Sequence, residues 1–237
     1  MNISTRLLIA LATTGWVQPA LAQPNPYAMA NTAVQISQVR QANAALMHQY
    51  TWNSRMEIIV QGQVKDVRID QVSFGPYGQL QRTVLNDQPA SSGIMLPTPI
   101  GFLRRAVASN EKQELQQFLT GLQGLLELYT LPTTGKIFDF MASAVPSAPD
   151  NNGMVQLTGN NVVQPGDSLT LMVNAWTKHV RQIQVSTTFQ GQAVQLSATF
   201  ATIPVSGLNY AAFAEAIVPS KQMSVQVQNY NFARLGY

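Results

Sequence analysis

Apolar and polar residues alternate along two blocks of the chain, which flank a central stretch with a different spacing. In the first block, Met56, Ile58 and Val60 alternate with charged and polar neighbours, and Gln61-Gly62-Gln63 follows. A period of two predicts a strand with one buried face, and a short connection with glycine predicts a β-hairpin. The sequence therefore predicts a strand over residues 55–61 that turns back into a second strand.

The second strand of this block, Val64 to Phe74, changes the phase of its apolar residues half-way along. Ile69 follows the first phase and Val72 follows the second. A β-bulge near Asp70 is the expected cause, because one extra residue moves the following side chains to the other face. A third strand is predicted over residues 79–85.

The second block alternates more regularly. Gln190-Gly191-Gln192 repeats the turn of the first block, and Pro165-Gly166-Asp167 forms another turn. Strands that are joined by tight turns must be antiparallel neighbours. The predicted strands cover residues 169–175, 183–189, 194–202, 210–218 and 223–232.

The central stretch, Phe102 to Met141, has the spacing of a helix. Its large apolar residues recur every three or four positions, so they share one helical face. This face consists of Leu115, Phe118, Leu119, Leu122, Leu125, Leu126 and Tyr129, and a shorter run follows with Ile137, Phe138, Phe140 and Met141. An earlier helix is predicted from Asn31 or Thr32 to about His48.

An apolar helical face must be covered, and only the two β blocks are large enough to cover it. We therefore predict an α+β fold, in which a curved antiparallel sheet of roughly eight to eleven strands forms an incomplete barrel with helices packed on its concave face. The alternative is two separate α+β units that meet at Pro146. We expect one domain over residues 23–237, with 146–153 as a candidate subdomain boundary.

The N-terminus has the features of a secretory signal. Leu7 to Val17 form an apolar core that is too short to span a bilayer, and Ala20-Leu21-Ala22 matches a cleavage site with small residues. The signal peptide is therefore predicted at residues 1–22, with cleavage after Ala22. The expected location is the periplasm, with no transmembrane anchor after cleavage.

Composition narrows the classes of function. Charged residues make up only 11% of the chain, against roughly 25% in ordinary soluble domains. The net charge is +3 and the cations are scattered, which argues against nucleic-acid binding. Cysteine is absent from the sequence, which excludes disulfides and thiolate metal sites.

The sequence contains no pattern that is typical of a catalytic, metal or cofactor site. His48 and His179 are far apart and have no patterned acidic partner, and Gly-x-Ser-x-Gly is absent. Asp66 and Asp70 lie on the same face of a strand, but Lys65 and Arg68 between them favour a solvated face. We therefore expect no catalytic residues, no metal and no cofactor.

The most distinctive local string is Tyr50-Thr51-Trp52-Asn53-Ser54-Arg55-Met56-Glu57. In a functional interpretation, Trp52 and Arg55 line the mouth of a cavity. In the structural interpretation, which we favour, Trp52 anchors the first helix to the sheet and Arg55 pairs with Glu57 or a neighbouring strand.

Three parts of the sequence resemble a family of uncharacterised exported bacterial proteins. They are this string with its hairpin, Phe74-Gly75-Pro76-Tyr77-Gly78, and Val163-Gln164-Pro165-Gly166-Asp167. The order of elements also resembles the outer-membrane lipoprotein carriers of the LolA/LolB type. That resemblance implies an incomplete barrel closed by helices, which holds acyl chains in an apolar cavity.

Three functions remain open at this point. The first is a non-enzymatic periplasmic binder or carrier of an apolar ligand, a lipid or an acyl chain, held between sheet and helices. The second is a structural or protein-interaction module of the cell envelope, with an envelope protein as partner, and the third is a hydrolase with an unrecognised site. For the first function, the residues expected to line a cavity are Phe118, Leu122, Leu126, Tyr129, Phe138 and Met141.

Overall fold

The computed structural model of the protein describes residues 26–86, 117–122, 124–125, 128–129 and 134–236. The predicted signal segment therefore lies outside the described residues, and so do Leu115 and Leu126. Among the described residues, no helix is long and apolar enough to cross a membrane.

The helices follow the predicted order, but the first helix begins earlier than predicted. Helix α1 covers Pro26–Met47, the central helix is described at residues 117–122, 124–125 and 128–129, and α2 covers Thr134–Ser143. The predicted start at Asn31 or Thr32 is wrong. Thr32 lies inside α1, where its hydroxyl donates to the carbonyl of Ala28 at 2.9 Å. Proline is well suited to the first turn of a helix, because that position needs no N–H donor.

The ten strands of the described chain form one antiparallel sheet that is not closed. Its order is β3-β2-β1-β10-β9-β8-β7-β6-β5-β4, which confirms the predicted fold class. The strands are β1 (Tyr50–Val60), β2 (Gln63–Phe74), β3 (Leu80–Asn86), β4 (Val145–Pro146), β5 (Met154–Asn160), β6 (Ser168–Asn174), β7 (Val180–Phe189), β8 (Gln192–Thr202), β9 (Asn209–Val218) and β10 (Met223–Arg234).

The two predicted β blocks belong to this one sheet because the last strand pairs with the first. Strand β10 lies antiparallel to β1, with Val225 opposite Ile58. Pro146 is itself part of β4, which pairs with β5. The two blocks therefore do not form two separate sheets.

Strand β5 was not predicted from the sequence. Its only large, branched aliphatic residues are Val155 and Leu157, and the next inward position is Gly159. A Cβ atom at Gly159 would lie 2.8 Å from Cε2 of Phe140 in α2. The glycine that obscures the strand pattern is thus the residue that lets α2 approach the sheet.

The phase change in β2 has a different cause from the predicted bulge. Residues 66–72 pair with β1 without interruption, and the shift beside Asp70 occurs only against β3, where Leu85 is the extra residue. Because directly opposite residues share a face, Asp70 lies on the same face as its partner Ser54. Charged side chains thus occupy inward positions in β2.

Candidate functional site

The face of the sheet beneath the helices is a continuous apolar surface. Side chains directly opposite one another form a row across seven strands, and most of this row belongs to the buried core. The row consists of Ile58, Val225, Ala216, Leu196, Val185, Leu169 and Gly159.

The opposite face of the same strands is polar. Gln184 and Ser186 of β7 and Gln195 and Thr199 of β8 are exposed. The two faces therefore differ in the way that the alternating sequence predicted, and the helices cover the apolar one.

Four of the six residues predicted to line a cavity lie in this covered interior. Phe118, Leu122 and Tyr129 of the central helix and Met141 of α2 are each at most 4% exposed. Their contacts with the sheet include an edge-on packing of Phe118 against Phe189, with ring centroids 5.3 Å apart. Whether these residues line a cavity stays a prediction.

The other two predicted lining residues are placed differently. Phe138 is 38% exposed, and Leu126 lies outside the described residues. In α2 the buried residues are Ile137, Phe140 and Met141. Their spacing of three and four residues is the signal in the sequence that favours Phe140 over Phe138 as the inward phenylalanine.

A buried polar cluster connects the central helix to the sheet. The hydroxyl of Tyr129 lies 2.7 Å from Oδ2 of Asp167 and 3.0 Å from Oγ1 of Thr187. Tyr129 and Asp167 are each 2% exposed. Burial raises the pKa of Tyr129, and the bond with Asp167 raises it further, although the bond with Thr187 acts in the opposite direction. The tyrosine therefore stays neutral and donates to the carboxylate.

Asp167 also organises the loop that precedes it. Its carboxylate accepts hydrogen bonds from three successive backbone N–H groups, those of Val162, Val163 and Gln164, at 2.6–2.9 Å. Burial by itself raises the pKa of a carboxyl, but the bonds from Tyr129 and the three N–H groups outweigh it, so the pKa of Asp167 is lowered. The sequence predicted a turn at Asp167 but not this role, because the Tyr129 partner lies 38 residues away.

The side-chain amide of Asn43 connects helix α1 to the sheet. Asn43 accepts from the backbone N–H of Asn209 and donates to the backbone carbonyl of the same residue, both at 2.7 Å. Asn209 in turn donates to the carbonyl of Val180 at 3.1 Å. These bonds set the position of the C-terminal half of α1 over the start of β9.

One buried polar atom of α1 lacks a partner. Ser37 is 6% exposed, and its Oγ makes no hydrogen bond with the described residues. It is adjacent in sequence to Ile36 and one turn from Ala33, both members of the core. A buried hydroxyl without a partner costs roughly 1–3 kcal/mol.

The residues around Trp52 pack against one another and against neighbouring strands. Trp52 is 6% exposed and stacks on Phe232 of β10, with ring centroids 5.5 Å apart. His48, which follows α1, stacks on Phe74 at 4.2 Å, and Phe74 also contacts Trp52. Arg55 forms an ion pair with Glu57. The ion pair of Arg55 with Glu57 is the one that the structural interpretation predicted, whereas the anchoring of the first helix by Trp52 stays a prediction.

The sequence suggested that Asp70 lies on a solvated face, but the structure buries it. It is 3% exposed, and its carboxylate lies 2.7 Å from Nε of Arg68 and 3.5 Å from Nη1 of Arg82. A carboxylate is tolerated in such a place when it is paired with cations. The interleaved Arg68 that suggested a solvated face is in fact the partner of Asp70.

The two histidines do not meet. His48 stacks on Phe74 at one edge of the sheet, whereas His179 follows β6, where burial and the charge of Arg181 lower its pKa. Among the residues that the structure describes, no three His, Asp or Glu side chains gather in a way that would hold a metal ion.

Comparison with known proteins identified two similar solved structures. The chain is similar to a DUF1329 family protein from Desulfovibrio piger, with 13% identity and a TM-score of 0.44 over 88% of this chain and 92% of that one. It is also similar to a LolA superfamily protein from Nitrosomonas europaea, with 9% identity and a TM-score of 0.36 over 85% of this chain and 94% of that one. No family model matches the chain, and no curated protein sequence matches it. The sequence suggested a distant resemblance to carriers of the LolA type, and the second of these structures is described as a LolA superfamily protein.

Proposed function

We propose that the protein is a non-enzymatic binder or carrier of an apolar ligand, a lipid or an acyl chain, which it holds between the sheet and the helices. The observation that carries this proposal is the apolar surface that crosses seven strands and is covered by helices. Polar ties between helices and sheet include Tyr129 to Asp167 and Thr187, and Asn43 to Asn209.

Small side chains in the middle of the sheet support the same proposal. Ala198 of β8 lies opposite Ala214 of β9, and Ala216 is the next inward residue of β9. Alanines at neighbouring inward positions leave the sheet surface shallow there, and we expect a chain of methylene groups to bind along this part of it.

The polar end of such a ligand has candidate partners on α1. The unpaired hydroxyl of Ser37 can donate a hydrogen bond or accept one. Arg40 follows three residues later, so it lies on the same side of the helix and supplies a positive charge. A fatty-acid carboxylate matches this combination of a hydroxyl donor and a cation.

Native mass spectrometry of the protein from a periplasmic extract tests location and ligand together. The chain is expected to begin at Gln23 and to carry additional mass from a lipid that is lost on activation. A chain that still begins at Met1, or a periplasmic chain without lipid that also fails to bind a fluorescent fatty acid, contradicts the proposal.

Substitution of Ala198 tests whether the ligand occupies the interior. Ala198→Leu adds volume beneath the helices, so we expect binding of a fluorescent long-chain fatty acid to weaken while the melting temperature stays near that of the wild type. The control is Ser197→Leu, which adds a similar volume on the opposite face and should leave binding unchanged. Equal binding by both variants contradicts an interior site.

A second candidate function is a structural or interaction module of the envelope. It is favoured by the tight contact at Gly121, where a Cβ atom would lie 2.5 Å from Cζ of Phe189. In a fully packed interior, Ala198→Leu should cost about 1–3 kcal/mol of stability and the wild type should bind no fatty acid.

A further inference from the structure

The two ends of the sheet differ in what their turns expose. In an antiparallel sheet, successive turns alternate between the ends. The turns after β2, β4, β6 and β8 lie at one end, together with the start of β1 and the end of β10. We call this the Trp176 end, and its turns cover residues 75–79, 147–153, 175–179 and 203–208.

Three of the four turns at the Trp176 end expose a large apolar side chain, and the turn at residues 147–153 does not. Tyr77 is 94% exposed, Trp176 is 73% exposed and Val205 is 100% exposed. The turns at the opposite end, residues 61–62, 161–167, 190–191 and 219–222, are all described and expose no large apolar side chain. The asymmetry therefore concerns the turns, since strand residues at the opposite end, Val64, Leu85 and Val145, are also exposed.

The strand order places these three side chains in a row. About four strand spacings separate the β2–β3 turn from the β8–β9 turn, and two more lead to the β6–β7 turn. With strands roughly 4.8 Å apart, the row spans on the order of 30 Å along the end of the sheet.

Hydrogen bonds to Asn174 stabilise the turn that carries the exposed Trp176. Oδ1 of Asn174 accepts from the backbone N–H groups of Trp176 and Thr177, at 3.0 and 2.9 Å, and from the hydroxyl of Thr177 at 3.2 Å. The ring packs against Gly153, where a Cβ atom would lie 2.6 Å from Cη2. The exposed indole is thus presented in one orientation.

The Trp176 end is also basic. Lys178 and Arg181 follow the tryptophan, and Arg234 ends β10 at the same end of the sheet. The one acidic residue of the described turns there, Asp150, is engaged with the backbone N–H groups of Asn152 and Met154. Exposed aromatic residues beside cations suit the headgroup region of a bilayer, where the ring lies among apolar chains and the cations meet anionic phosphates.

We propose that the Trp176 end docks on the surface of a bilayer that contains anionic phospholipid. Tyr77, Trp176 and Val205 enter the headgroup region, and Lys178, Arg181 and Arg234 lie against the phosphates. This proposal depends only on the turns of the sheet, so it does not rest on a ligand in the interior.

Sedimentation with vesicles tests the proposal. The mature wild type should sediment with vesicles of phosphatidylcholine and phosphatidylglycerol, and much less with phosphatidylcholine alone or in high salt. Trp176→Ser and Val205→Ser should each weaken this binding several-fold, and Lys178→Gln should weaken it about five-fold, which corresponds to about 1 kcal/mol for one cation near an anionic surface.

The matched control is Leu128→Ser, which removes an apolar side chain that is 54% exposed from the central helix. It should sediment like the wild type. Trp176→Ser should also keep the melting temperature and the fatty-acid binding of the wild type, which separates docking from ligand uptake. The proposal is overturned if the wild type does not sediment with anionic vesicles, or if it binds only a protein partner through this end. It is also overturned if Trp176→Ser binds the vesicles as well as the wild type does.

Discussion

At the scale of single residues, two turns show how backbone conformation limits the choice of side chain. Gln61 and Gly62 have φ angles of 53° and 72°, and Gln190 and Gly191 have 49° and 72°. Two successive residues with positive φ form the type of turn whose twist matches a β-hairpin. Glycine adopts such a positive φ without steric cost, and the repeated Gln-Gly sequence reflects the same local geometry in both hairpins.

Gly191→Val should destabilise the protein by about 1 kcal/mol or more, because a β-branched residue is strained at positive φ. Nothing lies within 4 Å of a Cβ atom at this position, so the backbone alone causes the loss. Gln190→Asn is the control with the opposite sign, since asparagine tolerates this region better than glutamine. Chemical denaturation measures both, and equal stability of all three proteins contradicts the assigned turn.

At the scale of elements, the central helix shows a sharp division between its faces. Leu122 is 2% exposed against the sheet, whereas Leu128 is 54% exposed. The cation of Lys221, in the turn before β10, also lies 4.8 Å from the ring of Phe118 on this helix. The buried face thus contacts the sheet through both apolar and charged groups.

Leu122→Asp should cost several kcal/mol of stability, or be met by a raised pKa of the new carboxyl, because the substitution buries an unpaired charge. Leu128→Asp places the same group on the exposed face and should change stability by less than about 0.5 kcal/mol. Melting curves of the two variants at neutral pH measure the difference in stability. Similar losses of stability in both variants would show that the helix face with Leu122 is not the face that contacts the sheet.

At the scale of the whole molecule, Asp167 links parts that are distant in the sequence. Through one carboxylate it orders the loop before β6, and through Tyr129 it joins that loop to the central helix and to Thr187 of β7. The second long-range link is the pairing of β10 with β1, which joins the ends of the sheet's two blocks.

The lowered pKa of Asp167 predicts a specific dependence of stability on pH. A carboxyl with a lower pKa in the folded state than in the unfolded state stabilises the fold above its usual value of 3.8. That contribution is lost as the pH falls through the lower pKa of the folded state. Acid titration of the folding free energy should therefore be flatter for Asp167→Asn than for the wild type in this acidic range.

Tyr129→Phe provides the control for this titration. It removes one donor but keeps the carboxyl, so the pKa of Asp167 should move back upward and the acid-sensitive range should shift to higher pH. The same change should cost about 1–3 kcal/mol at neutral pH, because a buried acceptor loses a partner. If Asp167→Asn and the wild type lose stability identically as the pH falls, Asp167 is not the cause of the acid sensitivity.

The elements that the sequence determined are those whose signal lies in neighbouring residues. Alternation over β6 to β10, the spacing of the central helix and the two Gln-Gly turns each depend on a few adjacent positions. These features were sufficient to predict one antiparallel sheet with helices on its apolar face. They also identified the buried residues Phe118, Leu122, Tyr129 and Met141.

Only the tertiary structure decided the features that depend on partners far along the chain. Asp70 is buried because Arg82 and Arg68 face it, and Asp167 is buried because Tyr129 and three N–H groups satisfy its carboxylate. The pairing of β1 with β10 joins residues that are distant in the sequence, such as Tyr50 and Arg234. Local periodicity carries no information about such partners, since burial of a charge and the register of distant strands are set by the groups that meet across the fold.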